Sequence, residues 1–284
     1  MSDDENVRLA RIAEIRNGRW IDYSAARTIL GKLEDLLSTP KTHRMPNMLV
    51  VGETNNGKSM IINHFAKHHK PELHVAGPTS NYPVFVIQAP NVPDESRFYN
   101  AILSKVYAPF RASARVDQRQ LQVIRLFDAI GVKMLIIDEI HNILAGTSVK
   151  QQQFRNMLKY LGNELMIPIV GVGTRDAYFA IQVDRQLENR FEPVLVPKWT
   201  MGEEYLRLLA SFEKLIALKH PSNLIERSLA TKILATAEGT IGELSTLITT
   251  ASLYAIQSGL EKIDLNVIDK CGYGGPSARK RRLA

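Results

Sequence analysis

The chain has 284 residues, 45% of them apolar, which is enough to bury one large core or a core domain with a smaller appendage. Its single cysteine, Cys271, excludes an internal disulfide bond and favours a reducing compartment. The first residues are acidic where a signal peptide is basic, and no apolar run approaches the roughly 20 residues of a membrane helix. We therefore expect a soluble cytoplasmic protein with no membrane partner.

The formal net charge of +7 is concentrated in two segments. Residues 105–125 carry five basic side chains and one acidic side chain, and residues 279–282 are all basic, so each segment has a net charge of +4. The rest of the chain then has a net charge of −1. Such clustering favours a polyanionic partner, although a solvated helix face and a disordered tail explain the charge equally well.

The first two thirds of the chain alternate between predicted helices and strands. Apolar residues at helical spacing follow Ser24 and stop before Pro40, which predicts an amphipathic helix with Ser24 as its cap. Short apolar runs separated by helical segments then predict a parallel sheet that is buried on both faces. The runs are residues 48–51, 84–88, 134–137, 167–172 and 194–196.

After Pro197 the sequence predicts helices only. The predicted helices are residues 203–219, 222–237, 242–258 and 264–271, with breaks at Pro221 and Gly259. The glycines, proline and charges of residues 272–284 predict a flexible, basic end. The chain is thus predicted to divide near residue 198 into an α/β body and a small helical lid.

A phosphate-binding loop follows the first strand. Its residues match the pattern G-x-x-x-x-G-K-[ST] between a strand and a helix, where glycines let backbone N–H groups turn toward phosphates. Lys58 supplies a charge to the outer phosphates, and the Ser59 hydroxyl is a ligand for Mg²⁺. The asparagines suit a tight loop because this residue tolerates left-handed backbone angles. The predicted nucleotide-binding residues are Gly52, Glu53, Thr54, Asn55, Asn56, Gly57, Lys58, Ser59 and Met60.

Two acidic residues end the predicted strand at 134–137. Asp138 is predicted to hold the Mg²⁺ shell, and Glu139 to orient and deprotonate the attacking water. An isolated Asp-Glu pair would be interpreted as a helix cap, but a phosphate loop in the same chain favours the catalytic interpretation. Because no N-K-x-D guanine signature is present, we expect ATP rather than GTP.

Together these segments resemble the AAA+ ATPase fold, a five-stranded parallel sheet with a C-terminal helical lid. More narrowly, "RWIDYSAA", "RMPNMLVVGETNNGKS", "MLIIDEIHN", "VGVGTRDA" and "NRFEPVLVPKW" are similar to the TniB/TnsC family of ATPase regulators of DDE-type bacterial transposons. The resemblance implies residues 1–47 as a segment covering the nucleotide, 48–198 as the core, 199–271 as the lid and 272–284 as the tail.

The resemblance also implies a function. Members form ATP-dependent rings or filaments on duplex DNA, mark the target site and recruit the DDE transposase, with a target-selection protein as a further candidate partner. This chain is accordingly expected to be a homo-oligomeric, nucleoid-associated bacterial ATPase whose slow hydrolysis drives disassembly. A replication-type helicase loader or initiator remains the alternative, and a nucleotide-driven motor is a third.

By position, several residues take family roles. Thr174 resembles the polar sensor that helps to place the water, and Trp20 and Ile21 lie in the segment that covers adenine. Arg190 resembles the arginine finger that reaches the γ-phosphate of a neighbouring protomer, although Arg185 is an alternative and either can pair with Asp176 or Glu188. Such families usually carry a further arginine on the third lid helix. Glu243 stands in that neighbourhood, so the coupling of the lid is expected to be weak or differently built.

The basic segment is predicted to bind DNA without reading its sequence. Arg111, Arg115 and Arg119 are four residues apart and share one face if the segment is helical, with Lys105 nearby. Leu121, Ile124 and Phe127 then form the buried face and leave the arginines free. His64, His68 and His69 lack the carboxylates and cysteines of a zinc site, so a solvated or packed helix face is favoured.

Overall fold

The computed structural model describes residues 3–16, 20–72, 81–111, 113–216 and 218–283. They form two compact units. The sheet unit contains the described residues of 28–54 and 58–196, and the helical unit contains those of 1–27, 55–57 and 197–284.

The sheet unit is built on five parallel strands in the order β2-β3-β4-β1-β5. The strands are β1 (Asn47–Gly52), β2 (Val84–Gln88), β3 (Met134–Asp138), β4 (Ile169–Gly173) and β5 (Phe191–Val196). Every residue of β1 and β4 is buried, as expected for central strands with helices on both faces. The predicted five-stranded parallel sheet is confirmed.

Two strands begin more than one residue away from their predicted start. β4 begins at Ile169 rather than at residue 167, since Pro168 has no N–H to donate to a neighbouring strand. β5 begins at Phe191, three residues earlier than predicted, because its exposed Glu192 and Pro193 hide the strand signal. A proline is tolerated there because β5 pairs only with β1 and is an edge strand.

Helices connect these strands, and the apolar faces of most of these helices form one core with the sheet. They are α2 (Ser24–Ser38, which begins in the helical unit), α3 (Lys58–His68), α4 (Glu95–Lys105), α5 (Val116–Ala129), α6 (Ser148–Leu165), α7 (Arg175–Gln182) and α8 (Arg185–Glu188), with a 3₁₀ helix at Ile140–Leu144. Side-chain caps start several of them, for example Asp94 at α4 and Asp184 at α8.

The helical unit has its own apolar core. Its helices are α1 (Asp3–Arg16), α9 (Glu203–Leu215), α10 (Arg227–Ala237), α11 (Ile241–Gln257), α12 (Leu265–Lys270) and α13 (Pro276–Leu283). Helix α1 was not predicted from the sequence. It contacts α11, and Arg11 donates to the Glu261 carboxylate over 2.9 and 2.7 Å.

Three helical predictions need correction. The helix predicted to begin at residue 222 begins at Arg227, because the backbone N–H groups of Ser222, Asn223 and Leu224 all donate to the Glu213 carboxylate. The helix predicted to end at residue 219 ends at Leu215, and residue 217 lies outside the described residues.

The third correction concerns the basic tail, which was predicted to be flexible. Residues 276–283 instead form α13, which is held at its start by a hydrogen bond of 2.7 Å from the Ser277 N–H to the Glu238 carboxylate. The side chain of Arg282 lies outside the described part of the chain. Among the described residues, no helix combines the length and the apolar character needed to span a bilayer.

Candidate nucleotide-binding site

The loop between β1 and α3 has the backbone that the phosphate-loop pattern predicts. Asn55 (φ 59°) and Gly57 (φ 81°) are in the left-handed region, as expected for asparagine and glycine. At Gly52 a side chain would lie 3.0 Å from the Val196 Cβ atom, so only glycine fits without displacing β5. The loop therefore depends on its residue types at these three positions.

Lys58 is the first residue of α3 and is buried, with 6% of its surface exposed. Its ammonium donates to the backbone carbonyls of Gly52 and Glu53 over 3.0 and 2.8 Å. Burial lowers the pKa of Lys58, and the charges of Glu139, Asp138 and Glu53 oppose that shift. A buried cation among three carboxylates, held by carbonyls at the loop, suits the binding of a polyphosphate.

Ser59 and Asp138 meet as the motifs predict. The Ser59 hydroxyl donates to the Asp138 Oδ2 atom over 2.6 Å, which joins the start of α3 to the carboxyl end of β3. A hydroxyl and a carboxylate are the hard oxygen ligands that Mg²⁺ accepts, so the donor set fits this cation. Two motifs that lie 79 residues apart in sequence thus form one cluster.

Glu139 has an unusual backbone conformation for a glutamate, with φ 54° and ψ 36°. Its N–H donates to the Asp138 carboxylate over 2.8 Å, which supports this turn. Its own carboxylate lies 3.1 Å from the His141 Nε2 atom. No role for His141 was predicted from the sequence, because its contact with Glu139 depends on the left-handed backbone of Glu139.

Thr174 directly follows β4, the strand beside β3, so it stands at the same sheet edge as Asp138. It is the N-terminal cap residue of α7, and its hydroxyl lies 3.5 Å from the Asp176 carboxylate, a long contact that leaves it weakly held. The sensor role of Thr174 stays a prediction.

The remaining predicted nucleotide-binding residues differ in burial. Glu53 is half-buried, and its carboxylate lies 3.7 Å from Arg175, while Thr54 and Met60 are exposed. Ile21 packs against the core of the helical unit, and Trp20 is half-buried.

Within the helical unit, the loop tip at residues 55–57 contacts the start of α11. The Gly242 N–H donates to the Asn55 carbonyl over 3.0 Å, and the Asn55 amide donates to the Glu243 carboxylate over 3.0 Å. Asn56 is buried, and its side chain accepts from the Ile241 N–H over 3.3 Å. The carboxylate of Glu243 therefore lies against the loop tip at residues 55–57.

The two candidate arginine fingers line one cavity of about 330 Å³, together with Arg44. Arg190 donates to the Asn163 side chain over 2.8 Å, and Arg185 is exposed at the start of α8. Among the described residues, neither arginine forms an ion pair with Asp176 or Glu188. Both remain candidates for the finger.

The three arginines predicted to share one helix face do not all lie on a helix. α5 begins at Val116, so Arg111 and Arg115 precede the helix, and both are exposed, with Arg115 lying 3.1 Å from Asp117. Arg119 is 6% exposed, so the prediction that it lies free on an exposed face is wrong.

The orientation of α5 explains this error. Val123 and Phe127 face the core on the same side as Arg119, whereas Leu121, predicted to be buried, is 47% exposed. Lys105 lies over the ring of Phe85 at 5.8 Å, and burial lowers its pKa. Lys105, Arg111 and Arg115 are all exposed, and DNA binding by these three residues stays a prediction.

Comparisons with known proteins concern the family and the fold of this chain. The family model described as bacterial TniB protein matches residues 11–201, more than half of the chain. A curated relative, the ATP-binding subunit ClpL of the ATP-dependent Clp protease of Lactococcus lactis subsp. lactis, is 24% identical over 182 residues. That match covers 62% of this chain but only 22% of ClpL.

Solved structures show the fold. The ORC2 protein of Aeropyrum pernix, in its ADPNP-ADP complexes, superposes with a TM-score of 0.61 at 13% identity, covering 87% of this chain and 65% of that one. The ORC1 protein of the same organism, in complex with DNA, gives 0.59 at 17% identity, covering 91% and 64%. This chain spans less than two thirds of either structure, and both have the P-loop AAA+ fold.

Proposed function

Because this chain belongs to the TniB family and has the AAA+ fold, we propose that it is an ATPase that assembles on duplex DNA and regulates a DDE transposase. The observation that carries the proposal is the 2.6 Å contact of Ser59 with Asp138, beside the buried ammonium of Lys58. This cluster has the charge and the oxygen ligands of a triphosphate site.

Each residue of the cluster has one task. Ser59 and Asp138 would hold Mg²⁺, which neutralises charge on the phosphates when it is bound. Lys58 leaves the carbonyls of Gly52 and Glu53 to bind the outer phosphates. Glu139 accepts a proton from the attacking water, and His141 holds the Glu139 carboxylate in place. Thr174 helps to orient the water.

An arginine from a neighbouring copy completes the site. Arg185 and Arg190 line a cavity with Arg44, and three guanidinium groups around one cavity suit a γ-phosphate presented by another subunit. An arginine finger contributes about 10³- to 10⁵-fold in rate, so an isolated subunit hydrolyses ATP slowly. Nucleotide binding then joins copies, and hydrolysis separates them.

The joined copies bind DNA through its phosphates. Arg111 and Arg115 are exposed before α5, which supports contacts to the duplex backbone without base reading. The ORC1 structure, described as a complex with DNA, is a precedent for this use of the fold. The assembled ATPase then marks a target and recruits the transposase in the bacterial nucleoid, with a target-selection protein as a further partner.

Lys58→Ala tests the proposal. The variant should lose binding of a fluorescent ATP analogue and assembly on duplex DNA together, because the outer phosphates lose their cation. Lys67→Ala, an exposed lysine near the end of α3, is the matched control and should keep both properties. Assembly that survives in Lys58→Ala would contradict the proposal, as would a preference for single strands and a helicase partner.

A further inference from the structure

The Glu243 carboxylate, in the helical unit, has three side-chain partners beside the tip of the phosphate loop. It lies in the first turn of α11 with 8% of its surface exposed. Its Oε1 atom accepts from the Asn55 amide over 3.0 Å and from Arg279 over 2.6 Å, and its Oε2 atom accepts from the Tyr273 hydroxyl. Three donors from two distant segments of sequence therefore meet on one side chain.

The donor from the loop is closely packed. A side chain at Gly242 would come within 1.9 Å of the Asn55 Oδ1 atom, so the backbone of α11 lies directly against the Asn55 amide. Asn55 has a left-handed backbone, and its carbonyl accepts from the Gly242 N–H over 3.0 Å. The conformation of Asn55 is thus fixed from both its side chain and its backbone by residues 242 and 243.

The donors from the C-terminal segment are also fixed. The Ser277 N–H donates to the Glu238 carboxylate over 2.7 Å, and a side chain at Gly275 would lie 2.2 Å from the Thr236 carbonyl oxygen. Residues 273–279 therefore follow the end of α10 closely and bring Tyr273 and Arg279 to Glu243. Tyr273 and Arg279 lie outside the phosphate-loop motif, and the family resemblance gives neither residue a role in binding or catalysis.

We propose that Glu243 is a positioning residue for the phosphate loop, and that residues 273–279 set the affinity for nucleotide through it. This inference rests on the proposed function, because it concerns the same loop. Arg279 and Tyr273 orient the Glu243 carboxylate so that one of its oxygens accepts from the Asn55 amide. Asn55 then fixes the conformation of the loop whose backbone N–H groups would bind phosphate. The C-terminal segment is then a control point at which a partner that displaces it weakens nucleotide binding.

A purely structural alternative exists. An acidic residue in the first turn of a helix stabilises that helix through its dipole, and Glu243 serves this purpose whatever Asn55 does. The two interpretations differ in what Arg279 controls. If Glu243 only caps α11, then removing Arg279 lowers thermal stability and leaves the affinity for nucleotide unchanged.

The test measures the dissociation constant of a fluorescent ATP analogue for the full chain and for single variants. Arg279→Ala and Glu243→Gln should each weaken binding about tenfold, the effect of losing one charged hydrogen bond. Arg279→Lys should restore part of the affinity. Arg281→Ala removes the same charge from the same helix, where the exposed Arg281 donates to the Ser277 carbonyl over 3.4 Å, and it should bind as the wild type does.

A double variant separates action through Glu243 from independent effects. In the Glu243→Gln background, Arg279→Ala should cause no further loss, since the two residues act in series. Asn55→Gly keeps the left-handed backbone but removes the amide, so it should reproduce the loss and also make Arg279→Ala silent. This variant keeps the test decisive if Glu243→Gln fails to fold.

The outcomes are distinguishable. A wild-type chain that binds no nucleotide overturns the proposed function and this inference together. A wild-type chain that binds, with unchanged affinity in Arg279→Ala and Asn55→Gly, overturns this inference alone. Losses in Arg279→Ala and Glu243→Gln that simply multiply would also overturn it.

Discussion

Glu139 combines an unfavourable backbone with a carboxylate that contacts a histidine. A left-handed conformation costs a glutamate free energy, and such residues persist where the surroundings fix them and often where function requires them. Here the Asp138 carboxylate accepts the Glu139 N–H, and His141 lies 3.1 Å from its side chain. The turn therefore directs the proposed general base while Asp138 stays bonded to Ser59.

Glu139→Gln should slow ATP turnover by about 10²- to 10⁴-fold while leaving the affinity for nucleotide unchanged, because the amide keeps the shape but cannot accept the proton. Steady-state phosphate release and analogue binding measure the two properties. The variant should also remain on duplex DNA for longer with ATP. Glu164→Gln, an exposed glutamate of α6, is the control. Normal turnover in Glu139→Gln would remove Glu139 from the base role.

His141→Ala tests whether the histidine positions that base. We expect kcat to fall about tenfold with little change in KM, since Glu139 loses the group that orients it and the phosphate loop is intact. His68→Ala, an exposed histidine at the end of α3, should have no effect on either constant. A rise in KM without a fall in kcat would instead indicate a role in binding.

At this scale the sequence predicted Ser59 and Asp138 because their motifs have fixed spacing and fixed chemistry. It did not predict a role for His141, since the backbone turn at Glu139 cannot be read from residue types. Arg119 was misplaced for a related reason: an arginine at helical spacing is usually exposed, and only the packing of Val123 and Phe127 reveals that this face is buried.

The segment before α5 carries the proposed contact to DNA. Arg111 and Arg115 lie outside the helix and are exposed, so each can reach a phosphate without disturbing the core. Arg119, one helical turn later, is buried, so we expect its removal to change stability rather than DNA binding. We therefore propose a role in DNA binding for Arg111 and Arg115, and a role in stability for Arg119.

The double variant Arg111→Ala, Arg115→Ala should weaken binding to duplex DNA and lower the dependence of log K on log salt by about 0.9 for each phosphate that the protein no longer neutralises. The melting temperature should stay unchanged. Arg119→Ala should show the reverse, a lower melting temperature with DNA affinity per folded molecule retained. Fluorescence anisotropy over a salt series and thermal melts distinguish these results. Unaltered DNA binding in the double variant would contradict the proposed interface.

Elements with regular apolar patterns were predictable, and elements held by polar contacts were not. The strands of the sheet are continuous apolar runs, so period and composition identify them. α1 escaped prediction because it is anchored to the helical unit by the ion pair of Arg11 with Glu261, 250 residues away in sequence. α13 escaped for the same reason, since Arg279 and Ser277 find their acceptors at Glu243 and Glu238.

For the whole molecule, the sequence predicted one division near residue 198. The two compact units instead place the described residues of 1–27 and 55–57 with those after 197. Residues 55–57 belong to the helical unit because the backbone N–H groups of Ile241 and Gly242 donate to Asn56 and Asn55. Contacts of this kind join residues about 186 positions apart, and no local pattern in the chain signals them.

A mixing experiment tests whether the active site is completed by a second copy. Arg190→Ala and Glu139→Gln should each be nearly inactive alone. The kcat of Arg190→Ala should fall about 10³-fold or more, because this variant lacks the arginine finger. In a mixture, intact Arg190 from Glu139→Gln subunits should restore turnover at the intact sites of Arg190→Ala subunits. If Arg185 is the finger, Arg185→Ala shows this rescue and Arg190→Ala does not. Absence of rescue with both arginines would contradict a shared site.

The central claim is that a bound triphosphate joins copies of this protein on a double helix. Electron microscopy of the purified chain with a duplex of about 60 base pairs tests it most directly, using a non-hydrolysable ATP analogue, ADP and no nucleotide in parallel. We expect rings or filaments on the DNA with the ATP analogue but not with ADP or without nucleotide, and we expect Lys58→Ala to form none. Single subunits with bare duplex in every condition would contradict it.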